Sequence, residues 1–344
     1  MQKIKSEAFF LTQKGNPTSA FKLQEFEINA PENDEVLIEV ASFGLNYADV
    51  MARNGLYKEA PEMPCVIGYE VVGKVIQVGE KVSADWVGKR VVAFTRFGGY
   101  AKHVLTQVHA IVEIDAMKSE DALALCTQSV TAFYLSDFIA PIQKNEIVLI
   151  HAAAGGVGTI LIQLAKKRGA TVIAKIGNEN KRSLVEGLGA DFVVNYNTTN
   201  YKEELLRYLG NKKLNASYNP VGGATFKTDL KLLCSGGKLF LYGGADLAKS
   251  KGGLFASLKF VWNMGLVIPI GLMMQSKSII GVNMLKIGDE QPEVLKFCMQ
   301  SVVQLYKDNK IKPQNGGIFD TLDLAKAHAL LESGNSTGKL VVNW

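Results

Sequence analysis

The sequence predicts an α/β protein of two domains, one β-rich and barrel- or sandwich-like, the other a doubly wound parallel sheet. Three observations predict this. At 344 residues the chain is long for one domain. Up to Ser119 it reads as short strands broken by Gly, Pro and Asp signals. Beyond that point strand-like runs alternate with helical patterns, the mark of βαβ units and a parallel sheet.

In chain order, "EVLIEVASFGL" (35–45) alternates in part, and "VIGYEVVGKVIQVG" (66–79) is β-branched and punctuated by glycine. "KRVVAF" (89–94) and "AKHVLT" (101–106) are further short strands. Ser119 suits a helix cap, with Glu120 and Asp121 in the first turn, and "DALALCTQSVTAFYLSDF" continues as a helix. Six strand-like runs follow: "EIVLIHAA" (146–153), "ATVIAKI" (170–176), "DFVVNY" (191–196), "ASYNPV" (216–221), "GKLFLYGG" (237–244) and "SIIGVNM" (278–284). Six is the number a complete doubly wound sheet uses. "PEVLKFCMQSVVQLYKDNKIKP" begins as a helix, and "GKLVVNW" is a closing strand positioned to return to the first domain.

With 47% hydrophobic residues and a formal net charge of +5, the composition is that of an ordinary globular protein. The basic residues are scattered, so no nucleic-acid partner is expected. Cys65, Cys126, Cys234 and Cys298 are far apart and form no CxxC pair, which fits a reducing compartment and thiols packed as small hydrophobes. "MQKIKSEAFFLTQKG" lacks the long apolar run of a signal peptide, so a cytoplasmic location is expected. "FVWNMGLVIPIGLMMQS" (260–276) carries no charge and is interrupted by Gly265, Pro269 and Gly271. It reads first as a buried or interface segment, and second as a lid or a surface for apolar ligands or a membrane.

The chemistry is in "HAAAGGVG" (151–158). Ala153-Ala154-Gly155-Gly156-Val157-Gly158 stands where a dinucleotide fold has GxGxxG, with alanine in the first position. Gly155 admits a pyrophosphate close to the backbone, Gly158 admits close helix–strand packing, and free amides at the helix start hold the anion. The flanking strands and helix complete a βαβ unit; a turn whose glycines serve packing alone is the alternative. An NAD site usually has an acid at the end of the second strand, but "ATVIAKIGNENK" has none within the strand. Lys175 and Lys181 flank that end and suit a 2′-phosphate, so NADPH is the expected cofactor. Glu179 is the counterargument, because it could turn onto a ribose hydroxyl.

"GLNYADVMARNGLY" (44–57), "GYEVVGKVIQVG" (68–79), "AAAGGVG" and "STGKLVV" (336–342) together resemble the medium-chain dehydrogenase/reductase superfamily. The resemblance covers essentially the whole chain. It points to the zinc-free quinone oxidoreductase branch, and within that to the vesicle amine transport protein family. It implies a GroES-like β-barrel domain from residues 1–126 and 305–344, a doubly wound Rossmann domain from 127–304 that binds NADPH, and an active site between the two. It further implies a homodimer through the sixth strand.

Carried over residue by residue, the resemblance places Asn46 and Asp49 beside the nicotinamide end and Thr131 near the nicotinamide ribose or phosphate. Gly155, Gly156 and Val157 form the pyrophosphate turn, and Lys181 and Tyr196 lie around the adenosine phosphate. Gly243 and Gly244 line the cofactor, Asn283, Met284 and Leu285 contact the carboxamide through backbone, Lys339 lies in the returning tail, and Tyr57 stands at the cleft mouth. Asp49 as a helix cap, Asn46 as a turn former, Tyr57 as an amphipathic lid residue and Gly243-Gly244 as a plain turn are the simpler readings. Zinc-dependent relatives have a Cys where Asn46 stands and a His where Tyr69 stands, and the third ligand position falls at Thr127, beside Cys126. The four His and four Cys form no cluster in the sequence, so no metal is expected.

The expected activity is transfer of hydride from NADPH to a quinone or an α,β-unsaturated carbonyl, with Tyr57 and Asn46 donating hydrogen bonds to the carbonyl oxygen. The family also implies an alternative: a nucleotide-binding protein in peripheral contact with membranes or partner proteins, with little turnover.

Overall fold

The computed structural model describes residues 3–246 and 253–344, with backbone alone for 253–257. Strands are numbered along the chain. The first eight are β1 (Lys3–Leu11), β2 (Phe21–Asn29), β3 (Glu35–Leu45), β4 (Cys65–Val66), β5 (Glu70–Val78), β6 (Arg90–Phe94), β7 (His103–Gln107) and β8 (Ile111–Glu113). Then come β9 (Ile147–Ile150), β10 (Thr171–Ile176), β11 (Phe192–Asn195), β12 (Leu214–Asn219), β13 (Leu233–Leu241) and β14 (Ser278–Gly281). The last two are β15 (Asn315–Asp320) and β16 (Lys339–Asn343).

The chain divides into two compact units, Met1–Thr131 with Met284–Trp344, and Ala132–Asn283. Residues 284–304, which the sequence reading placed in the nucleotide-binding domain, group with the first unit. The reason is an apolar stripe on helix Pro292–Lys307: Leu295, Cys298, Met299, Val302 and Val303 are buried, and the helix rests on β8 and on the turn Val108–Ala110.

In the first unit, β15-β16-β3-β5-β6-β8 form one sheet with β7 also on β3, and β2-β1-β4 form another. The core between them holds Val36, Ile38, Phe43, Val71, Val91 and Leu340. The chain's last strand, β16, runs antiparallel to β3 with Val341 opposite Gly44 and Leu340 opposite Leu45. That register brings Lys339 against the residues that follow β3.

In the second unit, β11-β10-β9-β12-β13-β14 form a parallel sheet. This is the 3-2-1-4-5-6 order of a complete doubly wound fold. Its central strands are buried on both faces, which is why β9 reads as an unbroken apolar run and β10 as one interrupted by Lys175. Leu149, Ile173, Val194, Leu214 and Leu239 form the core on one face with Leu205 and Phe226 from the helices. The helix after β9 ends at Lys167 with Arg168 as its C-cap, and Gly169 takes φ +77° to close it.

The segment 260–276 is not buried. Trp262 is 81% exposed, Leu266 91% and Met274 80%. Gly265 (φ +74°) and Pro269 break it into two short helices, Gly253–Met264 and Pro269–Gln275, and each turns only part of its apolar surface inward.

Candidate functional site

The glycine-rich turn lies at the carboxyl end of β9, where doubly wound sheets bind ligands. Ala152 takes the left-handed conformation (φ +48°), Gly155 N–H donates to the Ala152 carbonyl (2.9 Å), and Ala153 N–H donates to the Lys175 carbonyl (3.1 Å). We label the helix Gly156–Lys167 α1. Its first-turn amides, on Gly156, Val157 and Gly158, have no acceptor within the helix and point to its positive end. A Cβ on Gly158 would sit 2.6 Å from the carbonyl oxygens of both Ala152 and Ala153, so only glycine allows α1 to lie this close to the turn. Gly155 is less confined, at 3.1 Å from Ala152 O.

Beneath the turn is a buried polar cluster that the sequence reading missed. His151 Nε2 lies 2.8 Å from Asp229 Oδ2, which also accepts from Ser217 (2.9 Å) and Asn219 (2.7 Å). Burial pushes the His151 imidazole down, and Lys175 adds to the effect against the pull of Asp229. These residues come from β12, from the turn and from helix Ala224–Leu232, so only the fold unites them.

At the end of β10 the two lysines separate in role. Lys175 is buried, its ammonium 3.5 Å from the Tyr201 ring centre and 5.1 Å from that of Tyr196. Lys181 is half-buried on the turn Glu179–Lys181. Tyr196 is 40% exposed, with its hydroxyl end against Gly177. Glu179 is already engaged: Arg182 contacts one carboxylate oxygen and Asn195 Nδ2 donates to the other (3.0 Å). Those two partners hold its carboxyl below the usual range.

Gly243 follows β13, where a Cβ would lie 2.7 Å from Pro220 O. Asn283 is exposed at the end of the second unit, and Met284 and Leu285 are buried in the first.

The first unit gathers the remaining residues around a buried ion pair. Helix Tyr47–Arg53 is capped from Asn46, whose N–H donates to Asp49 Oδ2 (2.7 Å). The Asn46 side chain does something else. Its Nδ2 donates to Glu70 Oε1 (2.9 Å) and its Oδ1 accepts from Lys339 Nζ (3.1 Å). Lys339 and Glu70 are in direct contact, both 0% exposed, and Lys339 also donates to Leu45 O (3.2 Å). Thr127 N–H donates to the other Glu70 oxygen (2.7 Å). A Cβ on Gly44 would fall onto Glu70 Oε1 and within 2.5 Å of Lys339 Cε, so glycine leaves the room this pair occupies.

Asp49 is fully buried, and burial raises its carboxyl from 3.8 to about 7 against the pull of Asn46 N–H, Lys339 and Tyr100. Burial pushes the Lys339 ammonium down to about 7, against the pull of Asp49.

Tyr57 packs edge-on to Tyr69 (6.1 Å), and Tyr69 packs on Phe97 (5.3 Å). Burial, with Asp49 and Tyr57 nearby, keeps the Tyr69 phenol protonated. Thr131 hydroxyl donates back to Thr127 O (2.6 Å). Between them, Leu125–Ser129 forms a π-turn kinked at Cys126. Among the described residues, Thr127 Oγ1 and Gln128 Oε1 on this turn are buried with no hydrogen-bond partner. The structure thus joins Asn46, Asp49 and Lys339 in one cluster. Glu70, Tyr69 and Phe97 enter the site without having been read as such; "GYE" was the signal for the first two.

A family model described as "Alcohol dehydrogenase GroES-like domain" matches residues 32–116, and one described as "Zinc-binding dehydrogenase" matches residues 156–300. The Danio rerio "Synaptic vesicle membrane protein VAT-1 homolog" is 31% identical over 315 residues, 91% of this chain, and the match spans 65% of that relative's length. The Schizosaccharomyces pombe "Probable quinone oxidoreductase" is 36% identical over 237 residues, 68% of this chain and 70% of its own. Among solved structures, Escherichia coli quinone oxidoreductase complexed with NADPH is similar with TM-score 0.85 and 26% identity, covering 98% of this chain and 100% of that one.

The residues here do not fit the zinc named in one of those descriptions. Asn46 is committed to Glu70 and Lys339, Tyr69 offers a phenol, and Thr127 offers a hydroxyl. Among the described residues no group of three or more His, Cys, Asp or Glu side chains could hold a metal ion.

Proposed function

Because the chain belongs to the medium-chain dehydrogenase/reductase superfamily, in the branch of the quinone oxidoreductases and VAT-1 homologues, we propose that it is a zinc-independent oxidoreductase moving hydride from NADPH to a quinone or an α,β-unsaturated carbonyl. The observation that carries this reading is the corner after β10. Glu179, the acid that would favour a ribose hydroxyl, is held by Arg182 and Asn195, while Lys181 and Tyr196 stand at the same corner. That arrangement favours a 2′-phosphate. The amides of Gly156, Val157 and Gly158 would hold the pyrophosphate, and Lys175, stacked on Tyr196, would position that ring.

When bound, NADPH supplies a hydride, two electrons and one proton together. The chain's own contribution is orientation and charge stabilisation. Hydride addition at the β-carbon of an enone sends the double-bond electrons to the carbonyl oxygen. Tyr57 hydroxyl donates to that oxygen as the charge develops, and a proton from water at the α-carbon completes the reduction. A quinone takes the same hydride and one proton to give the hydroquinone. Asn46 has both ends of its amide engaged, so it serves as a positioning residue that keeps Glu70 and Lys339 in place.

The test follows loss of reduced-nicotinamide absorbance with menadione and with an aliphatic enone. Turnover with either supports the proposal. Protein that binds NADPH yet consumes none with any such acceptor refutes it.

A further inference from the structure

Two turns meet where the order of the parallel sheet reverses. β9 and β12 lie side by side at its centre, with β10 beyond β9 and β13 beyond β12. In doubly wound folds a dinucleotide crosses the sheet at this reversal. The turn after β9 is the glycine-rich one, and the turn after β12 is Pro220-Val221-Gly222-Gly223. The side chain that joins them lies in neither.

That side chain is Asp229, on helix Ala224–Leu232 and 0% exposed. Three groups converge on its Oδ2: His151 Nε2 at 2.8 Å, Ser217 Oγ at 2.9 Å and Asn219 Nδ2 at 2.7 Å. A carboxylate oxygen only accepts, so each of the three donates, and His151 carries its proton on Nε2. Burial and Lys175 disfavour a second proton on the imidazole, and Lys175 brings a compensating positive charge to the cluster.

From His151 the constraint runs into the glycine-rich turn. His151 N–H donates to Tyr218 O (3.0 Å), so backbone and side chain are both held. The next residue, Ala152, takes φ +48°, a conformation that a non-glycine residue keeps only when its surroundings impose it. Its carbonyl receives Gly155 N–H (2.9 Å) and lies against Gly158. That carbonyl sets where α1 begins, and with it the direction of the free amides in its first turn.

From Asn219 the same carboxylate reaches the second turn. Asn219 Oδ1 accepts from Val221 N–H (2.9 Å) and Gly222 N–H (3.0 Å). Pro220 O accepts from Ala245 N–H (3.1 Å), which extends the order to the Gly243-Gly244 turn.

We propose that Asp229, acting through His151 and Asn219, is the positioning residue of the pyrophosphate site: one buried carboxylate fixes both turns on which a dinucleotide's pyrophosphate rests. The inference rests on the proposed NADPH site and deepens it. It concerns the pyrophosphate, which NADPH and NADH share, and leaves the 2′-phosphate to Lys181.

The full chain is titrated with NADPH, with NADH and with adenosine 2′-monophosphate, which carries the 2′-phosphate and no pyrophosphate. His151→Phe keeps a ring in place and removes the donor. A thermal melt without nucleotide shows that each variant folds. The expected result is a dissociation constant about tenfold higher for NADPH and for NADH alike, from loss of one charge-assisted hydrogen bond, with adenosine 2′-monophosphate unchanged. His151→Gln returns an N–H near the place of Nε2 and restores most of the affinity. If His151→Phe does not fold, Asp229→Asn, which keeps the side chain's shape and removes its charge, is judged by the same comparisons. Equal weakening of all three ligands overturns the proposal, because it marks a general loosening of the sheet unit. A folded variant that binds NADPH as the parent does overturns it and leaves the nucleotide site standing. A parent that binds none of the three overturns that site and this inference with it.

Discussion

Asp49→Asn isolates a carboxyl group held protonated by burial. In the unfolded chain this group loses its proton near 3.8, whereas in the folded protein it keeps it up to about 7. Across that window the native state binds one proton more than the unfolded state, so its contribution to stability falls as pH rises from about 4 to about 7 and is flat above. The two pK units between pH 5 and pH 7 amount to about 2.7 kcal/mol. Asn cannot ionise, and its carbonyl oxygen still accepts from Asn46 N–H. The variant should therefore gain about 3 kcal/mol relative to the parent on going from pH 5 to pH 8. Urea unfolding followed by tryptophan emission at several pH values reads the difference, with Trp86 and Trp344 reporting on the unit that holds Asp49. A variant that loses ground at pH 8 would refute the reasoning, because it would mean Asp49 is ionised and paired with Lys339.

Three further outcomes follow from the same geometry. Glu70→Gln and Lys339→Met should each cost about 3–5 kcal/mol, and the double variant much less than their sum, since each single change strands a buried partner; additive urea midpoints would contradict the pair's role. Gly158→Ala drives a Cβ into two carbonyl oxygens and should abolish NADPH binding, whereas Gly155→Ala should weaken it less; fluorescence titration separates them. Tyr57→Phe should lower kcat about 10²–10³-fold with NADPH affinity unchanged, and an unchanged kcat would remove Tyr57 from the mechanism.

Much of the second unit was legible because its signals are local. An apolar run, a glycine turn and a helix pattern fit within residues 146–167, and β10, parallel to β9, closes the βαβ unit. Even there the strand ends early: β9 stops at Ile150, because Ala152 adopts a left-handed turn that composition does not announce. The hairpin β1–β2 was not read, because charged residues crowd both strands and most of β2 is exposed. In the barrel unit the site is built by distant pairing. Lys339 meets Asn46 across 293 residues only because β16 joins β3 in one register. No spacing in the sequence shows that the Asn46 amide is spent on Glu70 and Lys339. The segment 260–276 reads first as buried or interface because it is uncharged; the structure leaves much of it exposed, and hydropathy alone cannot tell a core from an exposed apolar face.

The most direct test of the central claim is a titration of the purified protein with NADPH and with NADH, following nicotinamide fluorescence, repeated with Lys181→Ala. Loss of a charge-assisted bond of about 1.5–3 kcal/mol should weaken NADPH about tenfold or more and leave NADH unchanged. Tighter binding of NADPH that depends in this way on Lys181 is the predicted result. Binding of neither nucleotide, or equal binding of both with no effect of Lys181→Ala, would contradict the account.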